Sequence, residues 1–196
     1  MKTFDDEYVR VDTNVTVIKN MPEIVECDFD CHGCSKLTSF EGSPRVVKGD
    51  VNLDWCGAVK DLKGTPEIVE GSLVCSYCKS LETLEGAPDI VYGDFDCNSC
   101  ENLRDIKGSP NVVDGIFSCV YCNKLESVDG APKECKIFDC TGCIKLKTLD
   151  PLLKCDIGEV IADEHLLVEY RIKKAAVKKH GYDKAMEVIN VLEDFI

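Results

Sequence analysis

The sequence predicts a repeat solenoid, a parallel β stack made mainly of strand and loop, closed by a C-terminal helical hairpin. Three observations predict it. Pro22, Pro44, Pro66, Pro88, Pro110 and Pro132 recur at a period of 22 residues without drift. Gly42, Gly64, Gly86, Gly108 and Gly130 keep the same step, as do Cys34, Cys56, Cys78, Cys100 and Cys122, with Cys143 one residue early after a deletion. Two apolar columns run in phase: Leu37, Val59, Leu81, Leu103, Leu125, Leu146 and Phe40, Leu62, Leu84, Ile106, Val128, Leu149. A 22-residue unit is too short for a helix pair or a propeller blade and suits one coil.

Residues 1–20 are expected to form an N-terminal β cap. Tyr8–Val11 and Asn14–Ile18 are β-like, and Val15 and Ile18 continue the Leu37/Phe40 spacing as a partial coil. Residues 21–162 are the solenoid: six coils of the unit P-x-x-V-x-G-x-F-x-C-x-x-C-x-x-L-x-x-L-x-G-x, plus a degenerate last coil with a strand at Val160–Ala162. The alternation of Phe95 and Cys97 within Gly93–Asn98 reads as a short strand, and Gly and Pro punctuate the return path. Each coil adds one parallel strand about 4.8 Å from the last. Residues 163–196 are a helical hairpin. Asp163 and Glu164 suit the positive end of a first helix, Lys173, Lys174, Lys178 and Lys179 suit its negative end, and Gly181 stops it. Leu166, Leu167, Tyr170, Ile172, Ala176 and Val177 are its apolar residues; Tyr182, Ala185, Met186, Ile189, Leu192 and Ile196 face one side of a second helix.

The core F-x-C-x-x-C-x-x-L and the return L-x-x-L-x-G-x-P-x-x-V resemble leucine-rich repeats in a cysteine-containing, short bacterial form. The wording Gly93-Asp-Phe-Asp-Cys97 with Leu84-Glu-Gly-Ala-Pro88 is similar to leucine-rich repeat reading frames common in phage genomes. The resemblance covers about two thirds of the chain. It implies a curved solenoid and a binding role, and it names no ligand.

The chain carries 14 cysteines in 196 residues, while its acidic N-terminus has no apolar h-region. A reducing, cytoplasmic setting is therefore expected, host cytoplasm if the chain is phage-encoded. Five C-x-x-C pairs (Cys31/Cys34, Cys75/Cys78, Cys97/Cys100, Cys119/Cys122, Cys140/Cys143) would signal zinc or redox chemistry outside a repeat. Inside one, they fall on inward positions, and the second coil puts Leu53, which ligates nothing, in the first slot. Core ladders of small apolar thiols are the expected reading. Lateral disulfides between coils and zinc held by two C-x-x-C pairs are the alternatives. Cys27, Cys135 and Cys155 lie off the two columns, with Cys27 in a turn-glycine column as the reactive candidate.

At 44% apolar and 30% charged residues, the chain is neither a disordered nor a membrane composition, and no apolar run approaches the ~18 residues of a span. A net charge of −13 argues against nucleic acid and anionic membranes as partners. Charges 22 apart alternate in sign, as in Glu41/Lys63/Glu85/Lys107/Asp129, Lys60/Glu82/Arg104/Glu126/Lys147, Glu23/Arg45/Glu67 and Glu26/Lys48/Glu70, which supports in-register stacking. The outward residues of the strand face differ. They include Asp28, Asp30, Asp50, Asp54, Asp94, Asp96 and Asp139, no Lys or Arg, and the column Trp55, Tyr77, Tyr121.

These acids are expected to lack lateral partners. A partner-binding site is accordingly assigned to Asp28, Asp30, Asp50, Asp54, Trp55, Tyr77, Asp94, Asp96 and Tyr121, for a protein with a basic surface. No catalytic or metal residues and no cofactor are assigned. Stacked Asp28, Asp30 and Asp50 match no calcium motif, and His32, His165 and His180 join no nucleophile constellation, so no enzyme is expected. The expected function is a non-enzymatic interaction module, set in a phage as a modulator or inhibitor of a host or defence protein; the alternative is a zinc-binding or redox-responsive protein using the C-x-x-C pairs. Arg171–Lys179 is the one basic cluster and the candidate for self-association against another copy's acidic face.

Overall fold

In a computed structural model, residues 3–4 and 8–193 are described, with side chains for residues 8–190. They form a parallel β-solenoid of about seven turns, capped by two helices in a hairpin. Two ladders of short strands run along it. The Phe ladder stacks Tyr8–Arg10, Asp28–Asp30, Val51–Asn52, Leu73–Val74 and Phe95–Asp96 in register, Phe29 over Val51 over Leu73 over Phe95. The Val ladder stacks Ile24–Val25, Val46–Val47, Ile68–Val69 and Ile90–Val91. In the last three coils the ladders merge into continuous strands, Val112–Ser118, Glu134–Asp139 and Asp156–Ile161.

The repeat columns become the core. Phe29, Phe95, Phe117, Phe138 and both leucine-type columns are buried, and Phe95, Phe117 and Phe138 stack with ring centroids 5.2 and 5.1 Å apart. Backbone bonds between coils are not confined to the two ladders. On the leucine side, Leu62 N–H donates to Glu85 O (2.8 Å) and Leu84 N–H to Lys107 O (3.2 Å). Hydrogen bonds therefore link neighbouring coils at a similar separation on three sides of the stack.

Two glycine columns exist because the coils are so close. A Cβ at Gly49, Gly71 or Gly115 would lie 2.1, 2.3 or 2.0 Å from the Oδ1 of Asp28, Asp50 or Asp94 in the preceding coil. Gly42, Gly64, Gly86, Gly108 and Gly130 all have φ between 81 and 96°. Ion pairs follow the alternating columns: Arg45 reaches Glu23 (3.0 Å) and Glu67 (3.4 Å), Lys48 reaches Glu26 (2.8 Å), and Lys60 reaches Glu82 (3.4 Å). Glu126 instead pairs with Lys145 (3.9 Å) rather than with Lys147.

The ends differ from expectation in detail. Thr3–Phe4 pairs antiparallel with Tyr8–Arg10, which starts the Phe ladder. Asn14–Ile18 is not strand. Asp12 accepts the Asn14 N–H (2.9 Å) and Val15 N–H (3.2 Å), making turns like those that carry the leucine columns in every later coil, and Ile18 is buried.

Helix α1 (Glu164–His180) starts after Asp163 and stops at Gly181 (φ 79°), and α2 (Tyr182–Glu193) follows. Leu166, Leu167 and Tyr170 are buried on α1, but Ile172 is exposed and Lys173 is buried in its place. Lys173 Nζ lies 2.8 Å from Asp150 and 2.6 Å from Glu169, and Lys174 Nζ donates to Ile157 O (3.2 Å). The basic cluster is thus split, two of its lysines docking the hairpin onto the solenoid. Lys173→Ala strips the partner from a half-buried carboxylate and should lower stability by about 1–3 kcal/mol in denaturant unfolding, with Lys178→Ala, on an exposed site, near neutral. Ile196 and the Leu192 side chain lie outside the described residues.

Candidate binding face

All eleven cysteines of the two columns are buried, Leu53 with them. The second-column thiols donate one coil back: Cys56 to Cys31 O, Cys78 to Leu53 O and Cys100 to Cys75 O at 3.3 Å, Cys122 to Cys97 O at 3.2 Å, and Cys143 to Cys119 O at 3.1 Å. Burial pushes the Cys75 and Cys100 thiols well above their ordinary range and Cys78 up to about 12. At the two ends of the stack, hydrogen bonds from neighbouring thiols lower the pKa values of Cys34 and Cys143. Cys135 proves to be no stray: it continues the Val column between Val113 and Ile157 and is buried, its pKa raised to about 12. Cys27 and Cys155 are half-buried. Among the described residues no three His, Cys, Asp or Glu side chains cluster as a metal site, and no helix is long and apolar enough to cross a membrane.

The strand-face acids do have lateral partners, which corrects the sequence expectation. Asp28 Oδ1 accepts the Asp50 N–H (2.7 Å), Asp50 the Ser72 N–H (2.7 Å), and Asp94 the Ile116 N–H (2.8 Å), with Ser72 Oγ taking the Asp94 N–H (3.0 Å). The glycine column beside them leaves the space these side chains fill. A second set closes the strand ends: Asp54 accepts the Ser76 N–H (2.6 Å), and Asp96 accepts the Asn98 N–H (3.0 Å) and the Ser76 hydroxyl (2.7 Å). Desolvation raises the Asp54 pKa. Among the described residues, only Asp30 of these acids forms an ion pair, with Arg10 at 2.9 Å. The ladder therefore ties coil to coil through carboxylate oxygens and pairs none of the other acids with a lysine or arginine among the described residues. A groove of about 400 Å³ opens over its N-terminal part, lined by Tyr8, Arg10, Asp28, Asp30, Asp50 and Asn52.

The aromatic column carries a feature that residue type alone does not reveal. Trp55, Tyr77 and Tyr121 have φ of 62, 58 and 57°, in the left-handed region, and are 47%, 42% and 59% exposed. Gly33 and Gly142 hold the same place in the first and sixth coils (φ 74 and 72°), and Ser99 (φ 56°) in the fourth. Trp55 and Tyr77 stack at 4.5 Å with planes 10° apart, and Tyr121 lies across Gly142, where a Cβ would come within 2.3 Å of its ring. Large side chains in this conformation are uncommon and costly, and the fold plainly accepts glycine there.

The nine residues assigned from sequence all lie on this one face, the acids along the Phe ladder and the rings at its C-terminal edge. What sequence reading missed is the outer face of the Val ladder, where Ile24, Ile68 and Ile90 are 47%, 40% and 37% exposed. The signal was present in the doublets Ile24-Val25, Val46-Val47, Ile68-Val69, Ile90-Val91 and Val112-Val113, where one residue of each pair must face outward on a strand. No family model, curated protein or solved structure matches the chain.

Proposed function

We propose that the protein is a non-enzymatic interaction module whose acidic, aromatic strand face binds a basic protein surface through arginine side chains. The aromatic column carries this reading. Three exposed rings occupy left-handed positions that glycine fills in other coils, so they are kept at a stability cost, as groups that serve binding are. Ser99, the small residue between Tyr77 and Tyr121, leaves one ring position of the column open, and Tyr121 leans away from it over Gly142. A planar cation can stack on the face of Tyr77 turned toward that opening, and guanidinium stacks on aromatics as ammonium does not. Asp54 and Asp96 supply charge beside it. The resemblance of the motif wording to phage leucine-rich repeats supports a setting in which the target is a host or defence protein.

Trp55 is the only tryptophan of the chain, so its emission reports the site. Titration with an arginine-rich peptide is expected to change that emission with salt-sensitive affinity, a lysine peptide of equal length binding at least tenfold more weakly. Tyr77→Ser with Tyr121→Ser, which keeps every carboxylate, should abolish the preference for arginine. Tyr121→Gly should leave stability equal or raise it by about 1 kcal/mol. Equal affinity for both peptides, or an unaffected double variant, would sink the proposal.

A further inference from the structure

We propose that the outer face of the Val ladder is a homodimer interface, two copies packing face to face about a two-fold axis parallel to the strands. The surface has the composition of such a contact. Ile24, Ile68 and Ile90 stand on it in one column with the nearly buried Val46 and the half-buried Val112, and Tyr92, 54% exposed, stands beside them. An apolar stripe on a sheet, rimmed by charge, is what isologous interfaces bury.

The rim charges choose both the partner and its orientation. One rim column reads Glu23, Arg45, Glu67, Asp89, Asn111, Lys133 from the first coil to the sixth; the other reads Glu26, Lys48, Glu70, Tyr92, Asp114, Lys136. A two-fold axis along the solenoid would lay one column on the other, coil for coil. Glu23 would then meet Glu26, Arg45 would meet Lys48 and Glu67 would meet Glu70, all like charges. An axis along the strands, placed between the third and fourth coils, lays each column on itself reversed. Glu23 then meets Lys133, Glu26 meets Lys136, Lys48 meets Asp114, and Ile68 meets Ile90 at the centre. The pair Glu67/Asp89 is the one like-charged meeting in this arrangement, and Ile24 against Glu134 falls at the polar ends.

Lys133, Lys136 and Asp114 are exposed and make no ion pair among the described residues, although most rim charges of the first three coils are paired within the chain. In the dimer these three gain the partners they lack. The two ladders are separate faces, so the aromatic column stays open in both copies, and the inference does not rest on the proposed arginine site. Packing of aligned sheets at about −30° accommodates the arrangement.

Sedimentation equilibrium in low salt at micromolar concentration should give twice the 21.7 kDa of one chain. Lys136→Glu and Glu26→Lys should each return it to the monomer mass, with unchanged circular dichroism. Because each contact occurs twice about the axis, an equimolar mixture of these two variants pairs Lys with Glu at both places. The mixture should recover the doubled mass. Ile68→Asp with Ile90→Asp should give a monomer that no mixture rescues. A wild-type chain that stays monomeric, a dimer indifferent to the single charge reversals, or folded variants that remain monomeric when mixed would each overturn the inference.

Discussion

Raising the pH through 9 under reducing conditions should unfold the protein within about two pH units. The cause is the cysteine core. Burial is the largest factor raising the pKa of Cys75, Cys78, Cys100, Cys135 and Cys140 above the ordinary thiol value of 9.0. In the unfolded chain these thiols ionise near their ordinary value, whereas in the core they hold their protons. A raised folded pKa means stability that is fully present below the ordinary value and lost as the pH climbs above it. Each thiol removes about 1.4 kcal/mol per pH unit, and five remove about 7, against a total stability on the order of 5–15 kcal/mol for a domain. Cys34 and Cys143, whose pKa values are lowered, add stability only as the pH rises toward the ordinary value and oppose nothing above it. Urea unfolding at several pH values with a phosphine reductant measures the slope. Cys75→Ala should flatten it by about 1.4 kcal/mol per unit, beyond the pH-independent loss from the cavity. Stability that stays level from pH 8 to pH 10 would mean that the core thiols are not held as described.

The same cysteines show why the fold was legible in the sequence. Each residue of a 22-residue coil lies beside its equivalents in the next coils, so a column in the sequence is a column in space, and five columns coincide only when the coils stack in register. Cys135 lies off the two cysteine columns, but Pro132 places it three residues on, at the valine position of the coil. The binding face was legible as a set of residues but not in its energetics. Aspartate on an outward position looks unpartnered, yet its Oδ1 reaches a backbone N–H of the neighbouring coil, and sequence carries no record of backbone donors. The left-handed conformation of Trp55, Tyr77 and Tyr121 was hidden for a related reason. Gly33 and Gly142 in the same column pointed to it, but three aromatics outvote two glycines when residue type is all that is read. Lys173 shows the limit at the cap: a helix periodicity places Ile172 inward only if the neighbouring surface is apolar, and Asp150 waits there instead.

Gly86→Ala should cost at least about 3 kcal/mol, enough to leave a large unfolded population in a domain of ordinary stability. Two effects add. Gly86 has φ +96°, where a Cβ meets its own backbone at a cost of about 1–2 kcal/mol. That Cβ would also lie 2.4 Å from Lys63 N, 2.5 Å from Lys63 Cα and 2.6 Å from Leu62 C. These are backbone atoms of the preceding coil, with no rotamer to give way, so the coils must part on this side. Parting them stretches Leu62 N–H to Glu85 O and Leu84 N–H to Lys107 O, each bond worth about 1 kcal/mol, and opens the leucine columns behind them. Two companion substitutions separate the terms. Gly181→Ala has the strain (φ 79°) with nothing within 4 Å, and should cost about 1–2 kcal/mol. Gly57→Ala has neither, since its column holds Lys79 and Glu101 in later coils, and should be neutral or slightly stabilising. Chemical denaturation of the three, in that rank, tests whether close stacking of backbone on backbone, rather than glycine's conformational freedom alone, fixes this column. A Gly86→Ala loss no larger than that of Gly181→Ala would mean that the coils can part on the leucine side, and the equal spacing on three sides of the stack would have to be given up with it.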